Sequence, residues 1–516
     1  MSKKTELQEI VQQAFEFKGS YITLGAAKLD GECLDNALVK VPLKTFNRHG
    51  LIAGATGTGK TKTLQNIAEK LSLNGVPTLL MDIKGDLSGI SQPGVANDKI
   101  TERHQTIGVE WTAKGFPTEL LSISGEKGVK MRATISEFGP ILLSKVLQLN
   151  DTQGGVVSLI FKYCDDKGLP LLDIKDFRKV CQHIQTGEGK KEVEEQYGLV
   201  SSASLGAILR NLLEIEQQGA DVFFGERSFD VQDLLRTDDN GLGYCSILRL
   251  TDLQSKPRLF STFMLCLLAE IYQTFPERGD MDKPQLCIFI DEAHLIFKEA
   301  SKNLLNQIET IVKLIRSKGV GLYFITQDPT DVPDAVLGQL GMKIQHALRA
   351  FTEKDRKAIK TIAENFPPSD FYKTSDLLTA LGIGEAIVTV LNEKGIPTPL
   401  VHTYLTAPLS RMDVISEQEI DDLVKKSSLV RFYNEEIDRE SAYEMLTKKM
   451  DDQAETIEDK KEESPEPRKT NEKSTFEKAM TSPTARMVLR EVTRGLLGVL
   501  GLKSSSTTRR KKSTWF

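Results

Sequence analysis

The 516-residue sequence contains no run of eighteen uninterrupted apolar residues, so no segment is expected to cross a bilayer as a helix. Met1 to Lys18 is polar and amphipathic and has no apolar signal core, so no secretion leader is expected. The six cysteines, Cys33, Cys164, Cys181, Cys245, Cys266 and Cys287, include no C-x-x-C pair. They read as reduced residues, mostly of a core, which fits a cytoplasmic protein. Basic charge is not in excess: the net charge is −5. Any contact with nucleic acid must therefore rest on a local patch rather than on the field of the whole chain. Aromatics are sparse at 7%, yet apolar residues reach 40% and allow a substantial core. The length suits a few average domains or one large α/β domain with insertions.

What the chain does contain is Gly54-Ala55-Thr56-Gly57-Thr58-Gly59-Lys60-Thr61. The apolar run Gly50-Leu51-Ile52-Ala53 precedes it, and Lys62 to Ala68 reads as the start of a helix. This is strand, glycine loop, helix, with the spacing G-x-x-x-x-G-K-[ST] complete. Glycines let successive N–H groups turn inward on a phosphate, and the helix N-terminus adds partial positive charge. The candidate nucleotide contacts are Gly54, Ala55, Thr56, Gly57, Thr58, Gly59, Lys60, Thr61 and Lys62. Lys60 is placed to reach the β- and γ-phosphates of ATP, and Thr61 offers a hydroxyl to Mg²⁺.

A second strand, Pro77 to Asp82, runs into Asp82-Ile83-Lys84-Gly85-Asp86. Ligands bind at the carboxyl edge of open α/β sheets. Lys84 and Asp86 therefore stand either near the nucleotide or a neighbouring subunit, or on a charged solvent loop. Further on, Leu286 to Ile290 is apolar throughout and reads as a strand buried on both faces of a parallel sheet. It ends in Asp291-Glu292. Downstream of a glycine-lysine loop, that pair suits Asp291 as the Mg²⁺ acid and Glu292 as the residue that polarises the attacking water. His294 reads as structural. Leu322 to Gln327 is a further strand, and Gln327 is either a γ-phosphate sensor or a turn residue. Arg349, Arg356 and Arg316 are either surface charges or phosphate-facing groups.

Around these motifs, Glu6 to Phe17 reads as a helix, and Tyr21 to Leu24 and Ala37 to Val41 as short strands. Ile107 to Trp111, Glu119 to Ile123, Ser246 to Leu250, Lys343 to Leu348 and Ala386 to Leu391 are further candidate strands. The period is helical over about residues 135–220, an insertion. Lys127, Lys130 and Arg132 are weak candidates for a nucleic-acid contact. The domain expectation is an N-terminal helix (1–20), an ATPase domain (21–410), a helical extension (411–450), a disordered linker (451–480), and an amphipathic helix with a basic tail (481–516).

The glycine loop, Asp82 to Asp86, Ile290 to His294 and Ile315 to Gln327 together resemble the HerA-like branch of the HerA/FtsK ATPases. Within it the chain is most similar to the bacterial group known as HerA-like helicase, DUF853. The resemblance spans about Tyr21 to Thr406. It implies an α/β fold of the RecA-like P-loop NTPase type, with a mainly parallel sheet, assembling as a hexameric ring and acting on double-stranded DNA. By position it also implies Lys60 and Thr61 for phosphate and Mg²⁺, Asp291 and Glu292 for the acidic motif, and Gln327 as sensor. Arg349 and Arg356 fall where the family places arginines that reach a neighbour's nucleotide. The alternative function is an ATPase switch that binds a protein partner without moving DNA.

Overall fold

Strands that alternate between two buried faces dictate the architecture. The structure is a computed structural model that describes residues 2–451, apart from 254–255, 280, 298–301, 436 and 438. We number its strands β1 (Tyr21–Leu29), β2 (Glu32–Pro42), β3 (Gly50–Ala53), β4 (Thr78–Asp82), β5 (Thr118–Ser122), β6 (Val129–Lys130), β7 (Cys245–Arg249), β8 (Leu286–Ile290), β9 (Val320–Thr326), β10 (Met342–Gln345), β11 (Glu385–Thr389) and β12 (Val401–Leu405). They form one sheet in the order β2-β1-β12-β11-β10-β3-β9-β8-β4-β7-β5-β6. From β10 to β6 every neighbouring pair is parallel. From β10 back to β2 every pair is antiparallel.

Every residue of β3, β4, β8 and β9 is buried. Leu51, Leu79, Met81, Ile288, Ile290 and Phe324 enter one hydrophobic core. Ile52, Leu80, Phe289, Tyr323 and Ile325 enter another on the opposite face. Burial on both faces is what makes these strands apolar throughout. The first core is covered by the helix Pro257–Thr274 and by helices that fill the chain from Ile135 to Phe223. The second is covered by the helix Lys60–Leu73 and the N-terminal helix Lys3–Ala14, through Leu64, Ile67 and Leu71 and through Leu7 and Val11.

The other side of the helix Lys60–Leu73 is buried and polar, and it holds the segment after β12. Gln65 Nε2 donates to Ser410 Oγ at 2.7 Å and to the Arg411 carbonyl at 2.9 Å. Asn66 Nδ2 donates to the carbonyls of Thr406 and Ala407 at 3.1 and 2.9 Å. Glu69 accepts from the N–H groups of Leu409 and Ser410 at 2.7 and 3.1 Å. Burial raises the Glu69 carboxyl above its ordinary range.

Residues 1–449 form one compact unit, so the helices Glu417–Lys426 and Ser428–Tyr433 belong to the same body as the sheet. The expected linker beyond residue 451, the amphipathic helix and the basic tail lie outside the described residues. One expected strand is absent. Residues 98–107 are a helix capped by the Asn97 side chain and ended by Gly108 in the left-handed region, and Val109 to Trp111 is irregular. Strand β12 was not foreseen. Strand β10 stops at Gln345, three residues earlier than expected.

Glu69→Ala leaves two buried backbone donors without an acceptor. It is expected to lower the unfolding free energy by roughly 2–4 kcal/mol in denaturant titration, whereas Glu69→Gln keeps an acceptor and costs less. Equal stability of the alanine variant and the wild type would contradict this role for the helix.

Candidate active site

The glycine loop bridges β3 and the helix Lys60–Leu73. At Gly54 φ is +149°, and an added Cβ would lie 2.5 Å from His346 Cβ. Only glycine allows that approach. His346 is fully buried, and its Nε2 lies 3.0 Å from Thr63 Oγ1. Its backbone N–H donates to the Ala53 carbonyl at 2.7 Å. Thr58 Oγ1 donates to the Ala55 carbonyl at 2.7 Å. Lys60 is 6% exposed and its ammonium curls over its own loop, donating to the carbonyls of Gly54 at 2.6 Å and Ala55 at 3.1 Å. Burial, and then the nearby charge of Lys84, lower its proton affinity, while Glu292 and Asp291 pull it back up.

Register sets the rest of the edge. Ala53 is level with Thr326 across the β3–β9 pair, and Ile290 is level with Phe324 across β8–β9. Strand β9 thus stands between the loop and the acids, and the residue after it touches both. Gln327 Oε1 accepts from Thr56 Oγ1 at 3.2 Å, and Gln327 Nε2 lies 3.5 Å from Glu292 Oε1.

Asp291 is buried, and its Oδ1 accepts from the Glu292 N–H at 2.9 Å. Burial pushes its carboxyl up to about 6, against the pull of Lys84. Glu292 holds φ +47°, in the left-handed region that a side chain rarely adopts. Its Oε1 is 2.5 Å from Lys84 Nζ, and its Oε2 is at ion-pair distance, 3.2 Å, from His294 Nδ1 but outside hydrogen-bond geometry. Burial raises the Glu292 carboxyl, but hydrogen bonding and charge from Lys84 outweigh it and hold the group below its ordinary value. Lys84 Nζ also lies 3.8 Å from Asp291 Oδ2.

Lys60, Asp291, Glu292 and Gln327 therefore converge at one edge, with Thr61 in the first turn of the loop helix. Arg349 is exposed and lines a cleft of about 340 Å³ with Ala55, Thr56, Gln327 and Phe351, on the flank of its own chain's loop. Arg356 and Arg316 are exposed outside that cleft. Lys127 is engaged by Glu417 and Asp421 at 3.1 and 2.6 Å. On the other flank of the loop, a cleft of about 250 Å³ is bounded by Gly59, Lys62, Thr63, Ile100 and Leu405.

Three findings from known proteins bear on this chain. The family described as helicase HerA-like, C-terminal, matches residues 28–505. The chain belongs to the HerA-like helicase family. It is 22% identical over 386 residues to the DNA double-strand break repair helicase HerA of Sulfolobus acidocaldarius, across 73% of this chain and 69% of the relative. It is 23% identical over 382 residues to the protein of that description from Saccharolobus solfataricus, across 72% and 68%. Among solved structures, the bacterial conjugative coupling protein TrwBdeltaN70 in its unbound form shares the fold, with a TM-score of 0.51 and 16% identity over 79% of this chain and 94% of that one. The chain is thus an ATPase of the P-loop class.

In this HerA-like ATPase several site residues carried no local signal. His346 follows a short strand and meets the loop only through the β3–β10 pairing. Arg103 donates to the carbonyls of Gly384 and Leu405 at 3.1 and 3.0 Å, and Gly384 N–H in turn donates to the Thr58 carbonyl at 3.1 Å. His294, expected to be structural, has its Nδ1 3.2 Å from Glu292 Oε2.

Burial pushes His346 down to about 4 from an ordinary 6.5. Between those values the unfolded chain binds the extra proton, so the stability this residue contributes is full above pH 6.5 and is lost as pH falls toward 4. Asp82 and Asp291, both pushed up to about 6, act in the opposite sense, so the informative quantity is a difference between proteins. The unfolding free energy of wild type minus that of His346→Gln is expected to shrink by up to about 3 kcal/mol across this window. A difference that does not vary with pH would contradict a neutral buried imidazole.

Proposed function

We propose that the chain hydrolyses ATP with Mg²⁺ and couples the cycle to movement along double-stranded DNA as a ring oligomer, working in the cytoplasm. The observation that carries the hydrolytic half is Gln327, which touches Thr56 of the glycine loop and approaches Glu292 at the acidic end. One side chain spans the space in which a terminal phosphate would sit.

In this reading the loop amides of Gly54 to Lys62 and the Lys60 ammonium bind the phosphates. Thr61 and Asp291 fit Mg²⁺, a hard cation that takes one or two protein oxygens and otherwise water and phosphate. Asp291, raised toward protonation by burial, regains its charge beside a cation. When bound, the ion neutralises charge on the terminal phosphates. Glu292 orients the attacking water and takes its proton, Gln327 reports the state of the phosphate to the end of β9, and Arg349 or Arg356 supplies a further cation. The cleft beside Lys62 and Thr63 takes the base, because the terminal phosphate faces the opposite, acidic side.

The DNA half is supported by family membership and by the name of the curated relatives. With a net charge of −5, the DNA contact is a local surface.

Lys60→Ala is expected to abolish ATP turnover; wild-type turnover in that variant would remove the site. Glu292→Gln is expected to bind ATP yet hydrolyse it about a hundredfold or more slowly. Duplex DNA is expected to stimulate turnover, with stimulation fading as salt rises because counterions compete for the phosphates. Turnover indifferent to DNA would favour a protein-directed switch. A mass measurement with and without ATP tests the ring.

A further inference from the structure

We propose that Lys84 is a second cation supplied by this chain to the terminal phosphate of the nucleotide, and that its move to that phosphate releases the carboxylate of Glu292. The proposal rests on the ATPase reading of the same site.

Lys84 is not on a loose solvent loop. Strand β4 pairs with β8 so that Met81 is level with Ile290, which brings the turn after β4 beside Asp291 and Glu292. Asp82, 2% exposed, pins that turn: its Oδ1 accepts from the N–H groups of Gly85 and Asp86 at 2.7 and 3.2 Å, and its Oδ2 accepts from Leu87 at 3.1 Å. The backbone at Lys84 is thereby held at the sheet edge. Its side chain remains 36% exposed, against 8% for Glu292, so it lies at the mouth of the site with room to swing.

Its ammonium is placed between the groups a terminal phosphate must meet. It is 2.5 Å from Glu292 Oε1 and 3.8 Å from Asp291 Oδ2. Its charge is also felt by Lys60. Two lysines thus face two carboxylates, with the charge of Asp86 also felt by Lys84 and Asp291. This arrangement is not competent for hydrolysis. An ammonium on Oε1 occupies the oxygen that should receive a proton from water, and Oε2 is buried without a hydrogen-bond partner. A terminal phosphate carries more negative charge than one carboxylate and draws the ammonium to itself. Glu292 is then free to accept.

The step balances. The water oxygen bonds to the γ-phosphorus, and the bond from that phosphorus to the oxygen bridging to the β-phosphate breaks with its electron pair staying on ADP. The water proton passes to Glu292. Lys84 keeps its proton throughout and offsets the charge on an equatorial oxygen. Glu292 then gives that proton to the departing phosphate or to solvent water, and once phosphate has left the ammonium returns to the regenerated carboxylate, which again silences the site.

The competing account is that Lys84 only tethers Glu292. Five proteins separate the two: wild type, Lys84→Ala, Lys84→Arg, Glu292→Gln, and Lys84→Ala combined with Glu292→Gln. The measurements are turnover, affinity for fluorescent ADP and for a non-hydrolysable ATP analogue, and trapping of ADP by aluminium fluoride. Lys84→Ala is expected to keep ADP affinity within about threefold, lose about tenfold or more in affinity for the triphosphate analogue, lose about a hundredfold in turnover, and fail to trap ADP. Lys84→Arg is expected to recover part of the trapping. In the Glu292→Gln background, removal of Lys84 must still weaken triphosphate binding. If it does not, or if Lys84→Ala turns over within about threefold of wild type, or if ADP and triphosphate affinities fall together, the proposal is overturned. Turnover in wild type that Lys60→Ala abolishes keeps the ATPase reading in place whatever Lys84 does; no turnover in wild type sinks both.

Discussion

The ladder of backbone hydrogen bonds that joins β3, β9 and β8 fixes the distance between a flexible glycine turn and a pair of buried acids. Neither piece could hold that separation alone, because each is a few residues at the end of a strand. The parallel register does it: Ala53 is level with Thr326, and Ile290 with Phe324. Parallel strands of this kind are covered by helices on both faces. The site's geometry is therefore underwritten by two hydrophobic cores, one on each face of the sheet.

A polar edge set into an apolar sheet is costly unless its groups satisfy one another. Here several of them do so in a chain, while Glu292 Oε2 is buried without a hydrogen-bond partner. Asp82 is spent on three backbone N–H groups, Lys60 on two loop carbonyls, Lys84 on Glu292, and Gln327 on Thr56. The left-handed backbone of Glu292 adds strain at the end of β8. The contacts of Lys60 and Lys84 involve ammonium groups that a phosphate attracts, whereas Asp82 keeps its turn in place.

Contiguous features were legible in the sequence. The glycine loop with its flanking strand and helix is eight residues of pattern in a row. The apolar runs of β8 and β9 announce burial on two faces, and the polar residues that end them sit where a parallel sheet presents ligands. What was not legible depends on contacts between distant segments. His346 becomes part of the loop's floor only because β10 pairs with β3. Whether Lys84 belonged to the site or to solvent could not be told from Asp82 to Asp86 alone, since β5 to β8 and the helical insertion lie between it and Glu292 in the chain. The expected strand over Ile107 to Trp111 failed because the Asn97 cap and the Gly108 stop outweighed a short apolar stretch. Strand β12 hides among polar residues, His402 and Thr403, that are buried by pairing on both sides.

That last strand has a consequence for the order of assembly. The hairpin of β1 and β2 joins the sheet only through β12, which lies between β1 and β11. On a ribosome the hairpin emerges before every other strand of this sheet, yet its docking place is not made until residue 405 has left the exit tunnel. The earliest strands of the sheet are therefore among the last to be seated, and they wait with one edge open while almost the whole of the body is translated.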